Sequence, residues 1–258
     1  MRLIKSNQHA DGSVNFYLPA GRYAGLIVRL AGTNAGGATL GVTELGTLKI
    51  SHYNNEIINI APDHLLNLTN LYGGVAESAS AVGAAYTYTF VVPFRKKNDR
   101  NNALVVTANQ TSFVLNGFNT AKVAAGTIEV YAIFSDAPAS YVPVIKGVDI
   151  PISAASTFIY DLPQKNIAEV FILTDVHLLR AQVTKDGSTI VDGTWAAIVA
   201  ASNAFNWVET AITLVEVFAP KSDQLKEVQN NQVKLQLTTD AAIAPLRTVY
   251  VAVILPGQ

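Results

Sequence analysis

Apolar and polar residues alternate along much of the chain, which predicts β-strands rather than helices. Residues 13–18, SVNFYL, alternate, end at Leu18-Pro19, and lead through a few turn residues into a second apolar run at 24–30. Residues 157–173, TFIYDLPQKNIAEVFIL, repeat the same order. Proline donates no ladder hydrogen bond, so it suits a strand end. The chain therefore contains a strand, Leu-Pro, turn and strand pattern twice.

Three further blocks match between the two halves in the same order. They pair 42–47 with 183–188, 91–94 with 215–218, and 126–134 with 247–255. The separation shrinks from 144 residues (162 − 18) at the Leu-Pro pairs to 121 residues (247 − 126) at the last block. A duplicated β-domain with shorter loops in its second copy explains this order. The alternative is chance similarity, because β-proteins share strand and turn chemistry.

The same pattern predicts short strands separated by turns in each half. Segment 40–50 is interpreted as a hairpin with its turn at Leu45-Gly46, and Asp186-Gly187 is a stronger hairpin signal because glycine adopts positive φ freely. Other predicted strands are 86–94, 104–106, 112–115 and the two long β-prone segments 126–134 and 247–255. Each half then holds about eight strands, which is the count of a jelly roll.

One short helix is predicted in each half. Residues 62–72 have Pro62 near the first helical position and Gly73 as a stop. Residues 194–203 show a similar apolar spacing, and Asp192 is a candidate N-cap. Both helices are short, so we expect them to pack on sheets rather than form a helical domain.

A proline-containing segment divides the chain. Pro138 and Pro143 end both helix and ladder hydrogen bonding. We therefore predict an N-terminal jelly roll over 1–137, a linker over 138–146 and a C-terminal jelly roll over 147–258. The predicted fold class is all-β, with two tandem jelly-roll β-sandwiches (a double jelly roll) and a short helix in each.

The composition points to a protein with weakly charged surfaces. Of the 258 residues, 50% are hydrophobic and only 14% are charged, against about 25% charged in a typical domain. Such a surface suggests extensive self-association or a packed array. The net charge of −1 gives no footprint for nucleic acid, and no apolar run has the length of a membrane span or signal peptide. We expect a chain made and kept soluble in a cytosol.

Motifs for catalysis are absent from the sequence. There is no cysteine, no HExxH pair among the four histidines, no Gly-x-Ser-x-Gly elbow, and no phosphate-binding lysine after the glycines of 32–37. A catalytic triad assembled from distant loops stays open. We therefore expect no enzymatic activity, no catalytic residues and no cofactor.

Several aspartates are candidate ligands for a structural calcium ion. Aspartate carboxylates and loop carbonyls are the ligands that calcium prefers, although the spacing here does not match an EF-hand loop. The candidate ligands are Asp136, Asp149, Asp161, Asp175, Asp186 and Asp192.

Two groups of basic residues are candidate contact sites. Arg95, Lys96, Lys97 and Arg100 form the one basic cluster, and Arg2 and Lys5 lie near the N-terminus. A solvated hairpin tip is the simpler interpretation of the cluster. The functional interpretation is contact with lipid headgroups or with an acidic surface of a neighbouring coat subunit.

Each of the two Leu-Pro blocks is followed by a Val-Thr hairpin, one helix and a final β-prone strand. This order resembles the double jelly-roll major capsid proteins of tailless, membrane-containing bacteriophages. Within the corticovirus and tectivirus lineage, the resemblance is closest to the corticovirus type. The resemblance covers nearly the whole chain as architecture. Two departures are the compact length, which argues against tall loop towers, and the low charge.

The resemblance implies a coat protein that forms a homotrimer. Three double barrels would give a pseudo-hexagonal tile, and many tiles would cover an icosahedral shell over an internal lipid membrane. Neighbouring trimers, penton or minor capsid proteins and the membrane would be its partners, and it would reside in the virion after synthesis in the host cytoplasm. No direct binding of nucleic acid is expected.

Two other classes of protein were weighed. A carbohydrate-binding or adhesin-type double β-sandwich would need exposed aromatic residues beside Asp or Asn on one rim, for which Tyr72, Tyr86 and Tyr88 are candidates. A bicupin-like enzyme would need histidine and carboxylate ligands clustered inside a barrel. The four scattered histidines make the second alternative weak.

Overall fold

The structure is a computed structural model of the chain. It describes residues 1–8, 13–35, 44–71, 82–95, 101–119, 126–138, 142–163, 165–173, 176–206, 212–216 and 232–254. The chain divides into two compact units, Met1–Pro143 and Val144–Gln258.

The described residues of the first unit form two antiparallel sheets and one helix, α1 (Pro62–Leu71). Its strands are β1 (Arg2–Gln8), β2 (Ser13–Tyr17), β3 (Gly21–Thr33), β4 (Leu45–His52), β5 (Asn55–Ile60), β6 (Ala85–Pro93), β7 (Leu104–Val106), β8 (Thr111–Phe118) and β9 (Thr127–Phe134). One sheet has the order β1-β9-β3-β6, with β7 also pairing with β3. The other has the order β2-β8-β4-β5.

The second unit has the same construction where the structure describes it, with one helix, α2 (Trp195–Asn206). Its strands are β10 (Val142–Ile152), β11 (Thr157–Asp161), β12 (Ile167–Leu173), β13 (Leu178–Lys185), β14 (Ser188–Thr194), β15 (Ile212–Glu216), β16 (Val233–Thr239) and β17 (Ile243–Ile254). The sheet orders are β10-β17-β12-β15 and β11-β16-β13-β14.

The two units have the same strand topology. In the first sheet of each unit, the order β1-β9-β3-β6 corresponds strand by strand to β10-β17-β12-β15. In the second sheet, β2-β8-β4-β5 corresponds to β11-β16-β13-β14. Two facing four-stranded sheets in this order are a jelly roll. The Leu-Pro sites also match: the N–H of Leu18 donates to Thr111 O (2.8 Å), and that of Leu162 donates to Val233 O (3.0 Å). The structure therefore confirms the predicted fold class and the duplication.

Alternation along the strands builds a separate core in each unit. In β9, Ile128, Val130 and Ala132 are buried and alternate with partly exposed residues. In the second unit, α2 adds Trp195 and Ile198 to a core of strand residues. Each fully buried aliphatic side chain contributes about 1.5–3 kcal/mol, so the two cores supply most of the driving force for folding.

The helices lie beside the outer strands β6 and β15. In α1, the hydroxyl of Thr69 donates to Leu65 O (2.8 Å) and accepts the N–H of Val91 in β6 (2.9 Å). A helix placed there protects a sheet edge that would otherwise pair with other chains. Within the described ranges, no helix is long and apolar enough to cross a membrane.

The helices lie close to the positions predicted from the sequence, but the predicted N-cap of α2 is wrong. Asp192 is not the N-cap, because its carboxylate accepts hydrogen bonds from Arg180 at 2.7 and 3.1 Å. Thr194 precedes the helix instead, and its Oγ1 lies 3.4 Å from the backbone nitrogen of Ala197. A threonine hydroxyl in this position is a common helix cap.

The predicted hairpin turn at Leu45-Gly46 is wrong. Both residues lie at the beginning of β4, and the chain turns at Tyr53-Asn54 instead. Gly46 has φ +83, and a Cβ there would collide with the carbonyl oxygen of Asn116. Its glycine therefore reflects a close approach of β8 to β4 rather than a turn.

Two further features differ from the sequence interpretation. The N-terminal segment, for which no strand was predicted, forms β1 and pairs with β9. Residues 142–146 of the predicted linker lie in β10, although the division between the units, after Pro143, falls within the predicted linker 138–146.

Candidate functional site

The two N-terminal basic residues lie on the edge strand β1. Arg2 is exposed and pairs with Ala132 across the ladder. Lys5 is half-buried, and its Nζ lies 5.8 Å from the centroid of the Phe16 ring in β2. That distance is within the range of a cation–π interaction, so Lys5 also has a structural contact within its own unit.

The predicted basic cluster is described only at its first residue. Arg95 follows β6 and is half-buried. Lys96, Lys97 and Arg100 lie outside the described residues. Contact of these residues with a membrane or a neighbouring subunit stays a prediction.

The aspartates considered for calcium do not form a site in the described part of the chain. Asp161 pairs with Lys234 (3.4 Å), Asp192 with Arg180 (2.7 Å), and the Asp186 carboxylate accepts the backbone N–H of Gln232 (2.8 Å). Asp175 lies outside the described residues. Among the described side chains, no three His, Asp or Glu residues come close enough to hold a metal ion. A structural calcium ion therefore stays a prediction.

Two of the three tyrosines suggested for a glycan-binding rim are not available for that role. Tyr86 and Tyr88 are buried inside the first unit, and burial raises the pKa of Tyr86 to about 12, with a further contribution from Tyr88. Strand alternation directs both rings inward. Tyr72 lies outside the described residues. This part of the prediction is wrong for Tyr86 and Tyr88.

A different pair of tyrosines lies at the end of the sheet β2-β8-β4-β5. Tyr17 of β2 pairs with Ser112 of β8, which pairs with Ser51 of β4. At the next position, Thr111 and His52 form a buried pair. Because successive side chains alternate between faces, the row Tyr17, Ser112 and Ser51 lies on the outer face of the sheet.

Two turns close this row on one side and complete a recess of about 150 Å³. Tyr53 and Asn54 form the turn between β4 and β5, and Asn109 and Gln110 lead into β8. The N–H of Tyr53 donates to Gln110 O (2.9 Å), which holds the turns together. We call this site the tyrosine recess; its lining residues are Tyr17, Ser51, Tyr53, Asn54, Asn109, Gln110 and Ser112.

His52 supports the recess from the inner face of the sheet. Its Nδ1 lies 2.7 Å from Thr111 Oγ1, and its ring meets the Tyr53 ring edge-on with centroids 4.5 Å apart. Burial lowers the pKa of His52 below its usual value. The imidazole is therefore neutral at physiological pH and fixes the position of Tyr53.

The sequence contained only part of the signal for this recess. Alternation in 13–18 places Tyr17 on the face opposite Val14 and Leu18, so its exposure was predictable. Its meeting with Ser112 and Ser51 depends on the pairing register of three strands that are distant in sequence. Tyr53 was missed because Tyr-Asn is not a usual turn sequence.

Comparison with known proteins gives structural matches only. No family model and no curated protein sequence matches the chain. The major capsid protein P2 from bacteriophage PM2 is similar in structure, with a TM-score of 0.64 at 14% identity over 99% of this chain and 98% of that chain. A quasi-atomic model of the PBCV-1 virus capsid matches with a TM-score of 0.54 at 11% identity over 100% and 94%. The chain thus has the fold of double jelly-roll major capsid proteins.

Proposed function

We propose that this protein is a viral major capsid protein, with a structural rather than an enzymatic role. The observation that carries the proposal is the presence, in one chain, of two consecutive units with the same jelly-roll topology. The alignment with a phage major capsid protein extends over almost the full length of both chains. A match of both units together is more specific than a match of one jelly roll, a fold that many unrelated proteins share.

The mechanism is geometric. A trimer of chains with two similar units each presents six similar sides, so nearly equivalent contacts can tile a closed shell. Neighbouring trimers, penton or minor capsid proteins and an internal membrane are the proposed partners. The protein is made in the host cytoplasm and resides in the virion.

The surface of the chain supports a role in assembly. Only 14% of its residues are charged, and several large apolar side chains are exposed in the isolated chain. Exposed apolar groups are often covered in protein interfaces. They include Met1 and Leu3 on or beside β1, and Ile159, Val176 and Leu179 in the second unit.

The oligomeric state tests this function. We expect light scattering of the purified full chain at micromolar concentration to give three times the chain mass of 27.5 kDa. The same measurement with a chelator tests the calcium ion considered above, because a calcium-dependent trimer would dissociate. A stable monomer would contradict the proposed function, since the weakly charged surface would then have no partner.

A further inference from the structure

The tyrosine recess is lined without any charged side chain. Its seven lining residues carry phenol, hydroxyl and amide groups, which both donate and accept hydrogen bonds. An ionic ligand would find no counter-charge there, whereas a neutral ligand rich in hydroxyl groups would find both donors and acceptors. We propose that the recess binds a neutral saccharide, such as one sugar residue of a surface glycan.

The two aromatic rings provide the apolar part of such a site. Tyr17 is 58% exposed and Tyr53 is 56% exposed, although both are large rings on an ordered sheet end. The C–H face of a sugar ring packs well against an aromatic ring, and the phenol oxygen remains available for hydrogen bonding. Tyrosine with serine and asparagine is also the composition that antibody loops use for recognition.

Gln110 adds an unsatisfied hydrogen-bonding group. Its side-chain oxygen is buried and has no hydrogen-bond partner in the protein. A buried polar atom without a partner costs about 1–3 kcal/mol, so such atoms are uncommon in folded proteins. A sugar hydroxyl donating to this oxygen would remove that cost once the Gln110 side chain turns toward the recess, because the oxygen is closed to solvent in the free protein.

The backbone conformation of the turn at Tyr53 does not favour a tyrosine. Tyr53 and Asn54 have φ of +48 and +64, and Asn109 has φ of +61. Asparagine tolerates this left-handed region, but a bulky residue such as tyrosine is rarely found there. A two-residue hairpin turn of this type favours Asn-Gly or Asp-Gly. The turn conformation therefore does not explain the tyrosine at this position, whose ring contacts His52 and lines the recess.

The size of the recess limits the ligand. Its volume of about 150 Å³ is below the range of roughly 300–1,000 Å³ that encloses drug-sized ligands. We therefore expect one sugar residue to enter, with weak affinity for each site. In an assembled shell, many copies would act together and raise the avidity, but binding by the single chain does not depend on the proposed capsid function.

The test uses saturation-transfer NMR on the full chain with four neutral methyl glycosides: β-glucoside, β-galactoside, α-mannoside and N-acetyl-β-glucosaminide. We expect transfer to at least one of them and none to glycerol. Tyr53→Gly keeps the left-handed turn while removing the ring, so it separates loss of binding from misfolding. Tyr53→Gly and Tyr17→Ser should each weaken binding about tenfold, and Gln110→Leu should also weaken it.

Ile159→Ala is the matched control, because Ile159 is an exposed apolar residue of the second unit and its loss should leave binding unchanged. Absence of transfer to all four glycosides would overturn the inference. So would binding that survives both tyrosine substitutions. If Tyr53→Gly instead abolishes self-association without any glycoside binding in the parent protein, the recess contacts a second copy of the chain and the inference is wrong.

Discussion

The turn between β4 and β5 in the first unit and the turn between β13 and β14 in the second have nearly the same backbone. Tyr53 and Asp186 have φ of +48 and +49, and each is followed by a residue with positive φ, Asn54 or Gly187. The N–H of Tyr53 donates to Gln110 O at 2.9 Å, and the N–H of Asp186 donates to Gln232 O at 3.0 Å. The duplication has thus preserved the turn in both units.

The side chains at these turns differ in what they contact. The carboxylate of Asp186 accepts the N–H of Gln232 at 2.8 Å, so it stabilises the turn that contains it. Tyr53 instead exposes its ring beside Tyr17. The turn of the second unit is stabilised by its own side chain, while the turn of the first unit lines the tyrosine recess. If the tyrosine recess binds a saccharide as proposed, the two copies differ in function at this site.

The largest expected effect contrasts the two glycines with positive φ. Gly46→Ala should lower the free energy of unfolding by about 3 kcal/mol. The new Cβ would collide with the carbonyl oxygen of Asn116, and the alanine would have to adopt a left-handed backbone conformation. Gly187→Ala has open space around it and should cost only about 1 kcal/mol. Urea unfolding of both variants measures this. Equal losses would show that Gly46 is not crowded by β8.

The next effect compares alanine at the two turn positions. Asp186→Ala should cost about 1 kcal/mol through the lost hydrogen bond to Gln232. Tyr53→Ala should change stability by no more than about 0.5 kcal/mol, because the removed ring is exposed. Both variants carry alanine at nearly the same φ, and because aspartate tolerates this conformation better than tyrosine, the backbone adds to the loss at Asp186. A larger loss for Tyr53→Ala would mean that its ring supports the fold.

Tyr53→Gly should stabilise the first unit by about 0.5 kcal/mol, because glycine relieves the left-handed conformation at a modest cost in chain entropy. The midpoint of thermal unfolding should rise slightly. A clear decrease would contradict the view that Tyr53 is kept at a cost to stability for its exposed ring.

The smallest effect concerns the pH dependence contributed by His52. Burial lowers its pKa in the folded state, so folding favours the neutral ring. The stability contributed by His52 is complete above the unfolded pKa of about 6.5 and decreases as the pH falls toward the lowered folded pKa. His52→Gln should flatten the unfolding profile in that window. His177→Gln, at an exposed site, is the control, and an identical flattening there would refute the assignment.

The architecture was predictable because its signals are local. The Leu-Pro pairs mark equivalent strand ends, the alternation of residues marks buried faces, and Asp186-Gly187 marks its turn by composition. The prediction of a turn at Leu45-Gly46 was wrong because it also relied on a local signal. Glycine suggests a turn, whereas Gly46 is required by the close approach of a neighbouring strand. The N-terminal strand β1 was missed because its polar sequence forms a strand only by pairing with β9.

The recess was not predictable because it depends on register. Tyr17, Ser112 and Ser51 are brought together by the pairing of β2, β8 and β4, which no short sequence pattern reveals. The tyrosines suggested by the sequence, Tyr86 and Tyr88, lie in a strand whose alternation buries them. The sequence therefore predicts which residues of a single strand are buried, but not which residues of neighbouring strands lie beside them.

The most direct test of the proposed capsid function is electron microscopy of the purified protein. Class averages should show particles with three-fold symmetry, a hexagonal outline and six similar sides, and these particles should associate edge to edge at higher concentration. A field of single chains, or of oligomers without three-fold symmetry, would contradict the proposal that this duplicated jelly roll builds a viral shell.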